Sequence, residues 1–284
     1  MRFYCIYQKK DNPEKTAFLL ESAAKRNGIE FIHIDPEVFD FSKISPLEKG
    51  DALYRISSDN ISHVAERVLI KPDTATFYAF YERAFTRYEE LIFFERNNIS
   101  TPKTVHCASK NYDLLKKYVE YLGGFPIILK VSGKQGGAGL LKVESLDALS
   151  SMVRFVRSDP KASFSLKEFI ETRSSFRAIV IGNEVVGSIT YTSKRGDFRS
   201  NIEKNPEMMP VELSEEIKSL AISAIKSKDI EFGGVDIVID KNGRAFVLEA
   251  NFPCFFPDVQ KTTGIDIAEL IVKYLIKKSS DITG

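Results

Sequence analysis

The segment GGVDIVIDKNGRAFVLEAN, residues 233–251, constrains the fold more than any other part of the chain. Two runs of β-branched and apolar residues, 235–240 and 245–250, flank the dipeptide Asn242-Gly243. Asn-Gly is a strong hairpin signal, because both central positions of a two-residue turn need φ > 0. Closing the turn there pairs Lys241 with Arg244 and carries Asp236 opposite Glu249. Period-2 alternation then predicts an apolar face of Val235, Ile237, Ile239, Phe246, Leu248 and Ala250, and a second face with Asp236, Val238, Glu249 and Asn251. Directly opposed like charges destabilise a strand pair, so either both acids reach water or a cation lies between them. Two carboxylates with an amide oxygen are hard-cation ligands, and Mg²⁺ commonly takes one or two carboxylates together with substrate phosphates.

Composition narrows the partners. The 284 residues are 43% hydrophobic, enough for a buried core and more than one subdomain. Lys+Arg 40 against Asp+Glu 39 leaves a net charge of +1, without the basic excess that marks a nucleic-acid binder. No apolar run approaches the roughly 18 residues that a membrane span needs. The N-terminal stretch MRFYCIYQKKDNPEK turns charged too early for a signal peptide's apolar region. Cys5, Cys107 and Cys254 are too scattered for a disulfide framework or zinc site, and His33, His63 and His106 form no ligand pair. The expectation is a soluble cytoplasmic protein.

RFYCIY, FIHID and DALYRI read as strands of a small βαβ-type unit, with a helix over 13–27 ending at Asn27-Gly28. The pattern predicts an aromatic-rich helix over about 77–97 and another over 109–122, stopped by Gly123-Gly124. Strands on either side of a glycine-dense loop follow, then a helix capped by Ser145, a strand at 165–170 and a hairpin turning near Gly182-Asn183. A polar loop leads to a helix over 214–228, and a helix closes the chain. Interleaved elements with several hairpin turns predict an α/β (α+β) fold with partly antiparallel sheets.

The loop GKQGGAGL has four glycines in the seven positions 133–139: Gly133, Gly136, Gly137 and Gly139. Glycine lets backbone N–H groups close on phosphate oxygens without a Cβ in the way. A strand, not a helix, follows, so this is no Walker A motif, and an ordinary hairpin loop is the alternative. Lys130 ends the apolar strand FPIILK just before the loop, where an ammonium calls for an anion unless it snorkels to solvent. GDFRSN, 196–201, lines up the guanidinium of Arg199, the hydroxyl of Ser200 and the carboxamide of Asn201.

In this order and spacing, FPIILK, the glycine loop, LKEFI, GDFRSN, GVDI, LEAN and QKTTGID resemble the ATP-grasp superfamily, and most of all its RimK-type carboxylate–amine ligases. The resemblance covers about 51–275. It implies an ATP-grasp fold with a small N-terminal βαβ pre-grasp domain, 1–85, followed by an ATP-grasp domain, 86–284. Within the latter, two α+β subdomains clamp ATP: 86–170 with the glycine-loop lid, and 171–284 with the metal site. By the same resemblance Lys130 and Arg199 contact phosphates and act catalytically, Glu168 and Phe169 form the adenine hinge, and Ser175, Ser200 and Asn201 line the nucleotide site. Asp236, Glu249 and Asn251 would hold Mg²⁺, or Mn²⁺ in its place. The implied reaction joins a carboxylate substrate to an amine, an amino acid or peptide, through an acyl phosphate with release of ADP. Family members assemble, so a homo-oligomer is a further expectation. A small-molecule kinase on this fold, or a nucleotide-binding regulatory protein, would use the same nucleotide site. Departures fall around the acceptor: Tyr191-Thr192 stands in place of an Arg-Arg pair, Ser175 in place of an aspartate, and NFPCFFP at 251–257 in place of Asn-x-Ser-Pro-Gly.

Overall fold

The computed structural model describes residues 1–8, 13–41, 47–85, 90–106, 108–131, 139–159, 162–172, 174–192 and 207–284. The N-terminal unit begins with β1 (Arg2–Ile6), α1 (Pro13–Arg26), β2 (Glu30–Ile34), β3 (Ala52–Arg55) and α2 (Asn60–Leu69). Its strands form a parallel sheet in the order β2-β1-β3, the βαβ arrangement expected from their apolar runs. Asp59 caps α2 by accepting from the Ser62 amide at 2.9 Å, a start signal the sequence reading passed over. Arg55 leaves this sheet buried, ion-paired to Glu66 at 2.9 Å and donating to the Ser57 carbonyl, while Tyr78 donates to the same Glu66 carboxylate at 3.0 Å.

The helix expected over 77–97 is not continuous. Tyr78 bridges to Ile230 as extended chain, a 3-10 helix spans Tyr81–Phe85, and α3 covers only Glu90–Arg96. Phe77 and Tyr78 supply the reason. Their rings pack edge-on or tilted against Tyr54, Phe232 and Phe252, so they plug a buried aromatic cluster and do not ride on a helix face.

A four-stranded sheet follows, built from β4 (Thr104–Val105), β5 (Ile127–Val131), β6 (Leu140–Val143) and β7 (Phe164–Glu168) in the order β4-β7-β5-β6. It is covered by α4 (Tyr112–Tyr121) and α5 (Leu146–Val156), whose buried residues include Leu115, Val119, Leu149 and Val153. Ser145 caps α5 as expected, accepting from the Ala148 amide at 3.3 Å.

The third sheet has five strands in the order β10-β9-β8-β11-β12: β8 (Ser174–Ile181), β9 (Glu184–Thr192), β10 (Glu207–Pro210), β11 (Phe232–Ile239) and β12 (Ala245–Asn251). Helix α6 (Glu215–Ser227) packs on one face. The other side meets α7 (Pro257–Thr263) and α8 (Ile267–Thr283), joined through Gly264 at φ +74° and the N-cap Asp266. The segment KTTGID is therefore a helix end, a left-handed glycine and a helix start. Among the described residues no helix is long and apolar enough to cross a membrane.

The β11–β12 hairpin departs from its expected register. Gly243 sits at φ +81°, the Gly243 amide donates to the Asp240 carbonyl at 3.0 Å and the Asp240 amide to the Arg244 carbonyl at 2.9 Å, so the loop is the three residues 241–243 and not a two-residue turn. Ile237 consequently faces Val247, and a bulge at Leu248 restores the count so that Asp236 faces Glu249. Val247 thus joins Val235, Ile237 and Ala250 in the core. Leu248, expected on that face, turns to the opposite side.

Candidate active site

The four- and five-stranded sheets face each other across a cleft. From the first sheet come Ile128, Lys130, Leu140, Lys167 and Glu168; from the second, Ser175, Asp236, Val238, Leu248 and Glu249. Pro102 and the β7–β8 connection, with Phe169, Ile170 and Thr172, close the end where the sheets join. Hydrogen bonds stitch that junction, two of them between backbone groups. Val247 donates to the Ser100 carbonyl at 2.8 Å, the Thr101 hydroxyl to the Val247 carbonyl at 2.9 Å, and the Glu168 amide to the Lys103 carbonyl at 2.9 Å.

Six of the residues expected at the site therefore line one cleft: Lys130, Glu168, Phe169, Ser175, Asp236 and Glu249. The half-buried Lys130 ammonium has no ion-pair or hydrogen-bond partner among the described residues, the condition under which it would take an anion. Glu168 accepts from the Lys103 amide at 3.2 Å, and Lys142 lies 5.0 Å over the Phe169 ring. Asn251, opposite Gly234, shares the face of Glu249 but does not line the cleft. Gly139 extends the β5–β6 ladder by accepting from the Val131 amide at 2.8 Å, and it borders a separate apolar groove with Leu141 and Met152. Gly133, Gly136, Gly137, Arg199, Ser200 and Asn201 lie outside the described residues.

Arg177 was not among the expected residues. It stands directly opposite Asp236 in the β8–β11 register and grips it with a fork, Nε to Oδ1 and Nη2 to Oδ2, both 2.8 Å. Burial, helped by the facing Glu249, holds the Asp236 carboxyl above its usual range, although the Arg177 charge and its fork work to lower it. Burial disfavours the Arg177 charge as well, but Asp236 outweighs that and holds the guanidinium protonated. The sequence signal was the one used for Lys130: a single charge inside an apolar strand, here SFRAIVI. Lys167, buried in β7 and lining the cleft, is a further residue not expected there; it sits beside Glu168 in FSLKE, with no apolar run to set it off.

Among the described residues Glu249 makes no hydrogen bond or ion pair, and each Asp236 oxygen accepts once, from Arg177. Among the described residues no three His, Cys, Asp or Glu side chains converge on one point. A site of two carboxylates with spare lone pairs fits a hard cation that completes its shell with substrate oxygens. Cys254 is no nucleophile: it is buried, its amide donates to the Tyr54 hydroxyl at 3.3 Å, and burial pushes its thiol up to about 12. Gly234 is needed beneath it, because a Cβ there would lie 2.7 Å from the Cys254 sulfur.

Lys130 on one sheet thus faces the paired acids Asp236 and Glu249 on the other. The family model for the RimK-like ATP-grasp domain matches residues 87–275, and the chain belongs to that family of ATP-using carboxylate–amine ligases. It is similar to a probable alpha-L-glutamate ligase of Cellvibrio japonicus, 28% identical over 284 residues covering 94% of this chain and 93% of the relative. A protein of the same description from Legionella pneumophila is 27% identical over 246 residues, 84% of this chain and 80% of its own. Among solved structures, the ATP-grasp ligase PsnB complexed with minimal precursor, Mg and ADP shares the fold at a TM-score of 0.74, with 17% identity over 98% of this chain and 97% of that one.

Proposed function

We propose that this chain activates a carboxylate with ATP and joins it to the amine of an amino acid or peptide, releasing ADP and phosphate. The observation that carries the reading is the shared cleft, with Lys130 on one wall and Asp236 and Glu249 on the other. A carboxylate is a poor electrophile, and transfer of the γ-phosphoryl group converts it into an acyl phosphate that an amine can attack. Lys130 neutralises phosphate charge from its wall of the cleft, and Arg199 is assigned the same work. Glu168 and Phe169, at the closed end of the cleft, receive the adenine, with Ser175 toward the ribose. Asp236 and Glu249, with Asn251 beside them on β12, would hold Mg²⁺, and the ion would supply charge neutralisation at the nucleotide's phosphates. Gly133, Gly136 and Gly137 of the glycine loop are assigned to the phosphates and to keeping water from the acyl phosphate.

The similarity to proteins described as glutamate ligases supports an amino acid as the amine, and PsnB's precursor complex supports a peptide as the other partner. The division into 1–85, 86–170 and 171–284, a cytoplasmic location and a homo-oligomeric assembly belong to the same proposal. An ADP-release screen over acid–amine pairs tests it. One pair should stimulate Mg²⁺-dependent ADP formation well above either partner alone, and ADP release that no pair stimulates would contradict ligation.

A further inference from the structure

We propose that Arg177 is a built-in counter-ion that makes divalent-cation binding at Asp236 and Glu249 depend on bound nucleotide. This rests on the reading of the cleft as a metal–nucleotide site, and adds to it a residue and an order of binding.

Glu249, Asp236 and Arg177 stand side by side on β12, β11 and β8, each directly opposite the next. The row reads acid, acid, base across three neighbouring strands. The fork occupies one lone pair on each Asp236 oxygen, and the two side chains are only 19% and 11% exposed, so solvent screens the pair poorly. Before any ligand arrives, the row therefore carries one net negative charge where its acids alone would carry two. Two further described groups near Arg177, Tyr191 and Cys254, have hydroxyl and thiol pushed up by burial and add no negative charge at neutral pH.

Cation affinity at oxygen sites follows the number of charged ligands. With Asp236 already neutralised, the protein alone offers a divalent ion one uncompensated carboxylate. The di- or triphosphate of a nucleotide brings the missing charge and oxygens. The same ion pair relieves the repulsion between the facing acids in the empty cleft, so the hairpin needs no metal to hold its register. Arg177 accordingly acts as a positioning residue, orienting Asp236 and setting the charge of the site.

The test is protein-bound Mn²⁺, measured by the electron paramagnetic resonance of free Mn²⁺ with the full chain, with and without ADP and against a Mn–ADP blank. Wild type is expected to bind Mn²⁺ at least about tenfold more weakly without ADP than with it, the scale on which groups behind the ligands move metal affinity. Arg177→Met should bind Mn²⁺ without ADP at least about tenfold more tightly than wild type. Arg177→Lys keeps the charge but loses the fork, so its nucleotide-free binding stays weak while kcat falls. A folded Arg177→Met whose nucleotide-free affinity is unchanged or lower overturns the proposal. Should circular dichroism show that variant unfolded, the wild type decides, since equal Mn²⁺ affinity with and without ADP overturns it equally. No Mn²⁺ bound in either condition removes the metal–nucleotide reading itself, a different result from equal binding in both.

Discussion

Asp236 and Glu249 face each other across β11 and β12 because two irregularities cancel. The third loop residue shifts the strands by one, and the bulge at Leu248 shifts them back. Between these points the facing set is exchanged, so Val247 is fully buried in the core while Leu248 lines the cleft. Val247→Ala should therefore cost about 2 kcal/mol of stability, as core truncations do, with little change in the KM for ATP. Leu248→Ala should raise that KM and barely move the melting temperature. Thermal melts and steady-state kinetics on the two variants check this, and simple alternation predicts the reverse.

Glu249→Ala should lower kcat for ADP formation by about 10³-fold, the several kcal/mol that charge neutralisation at phosphate supplies. Its fold should survive, because no described residue depends on that carboxylate. Lys130→Ala should raise the ATP KM by about 10- to 100-fold, the loss of a charge-assisted contact. Normal turnover of the first variant, or an unchanged KM in the second, would remove that residue from the site.

The buried trio of Arg55, Glu66 and Tyr78 behaves oppositely. Arg55 is 1% exposed and lies inside the N-terminal unit, so its role is structural. Glu66→Ala would strand a buried guanidinium and should cost about 3–5 kcal/mol in denaturant unfolding. A change below about 1 kcal/mol would mean that water reaches Arg55.

Asp51 links the same unit to acid stability. It is buried and accepts from the Arg2 amide at 2.8 Å, from Arg2 Nη2 at 2.6 Å and from the Glu48 amide at 2.8 Å. Burial works against its charge, but these hydrogen bonds prevail and hold the carboxyl below its usual range. A depressed folded pKa contributes stability that is present above the unfolded value, about 3.9, and lost as pH falls through the folded one. Asp51→Asn should lose about 2 kcal/mol at pH 7, with a smaller further loss below pH ~4 than wild type shows. Melting temperatures of both proteins between neutral and acidic pH measure the difference.

How much of this was legible in the sequence follows from what each feature needs. Facing acids need alternation and a turn residue, and Asn242-Gly243 supplied the turn even though its length came out one residue longer. The bulge at Leu248 leaves no compositional mark, since any residue can be the extra one. Arg177 carried the same mark as Lys130, a charge within an apolar strand, but its partner Asp236 lies on another strand that only the folded register brings near. Lys167 sits beside Glu168 in FSLKE and carried no such mark. The two-residue strand β4 falls below the length at which periodicity speaks, and β10, EMMP, ends on a proline that argues against a strand. Phe77 and Tyr78 read as helical because aromatic residues suit either state, and the packing around Phe232 and Tyr54 decided it.

Acyl activation in the cleft between Lys130 and the acid pair is the step on which hydroxylamine reports directly. With ATP, Mg²⁺ and an acid substrate, hydroxylamine in place of the amine should give a hydroxamate in one-to-one ratio with ADP, and Glu249→Ala should give neither. ADP formed with a stable phosphorylated product and no hydroxamate would instead mark a kinase and contradict ligation.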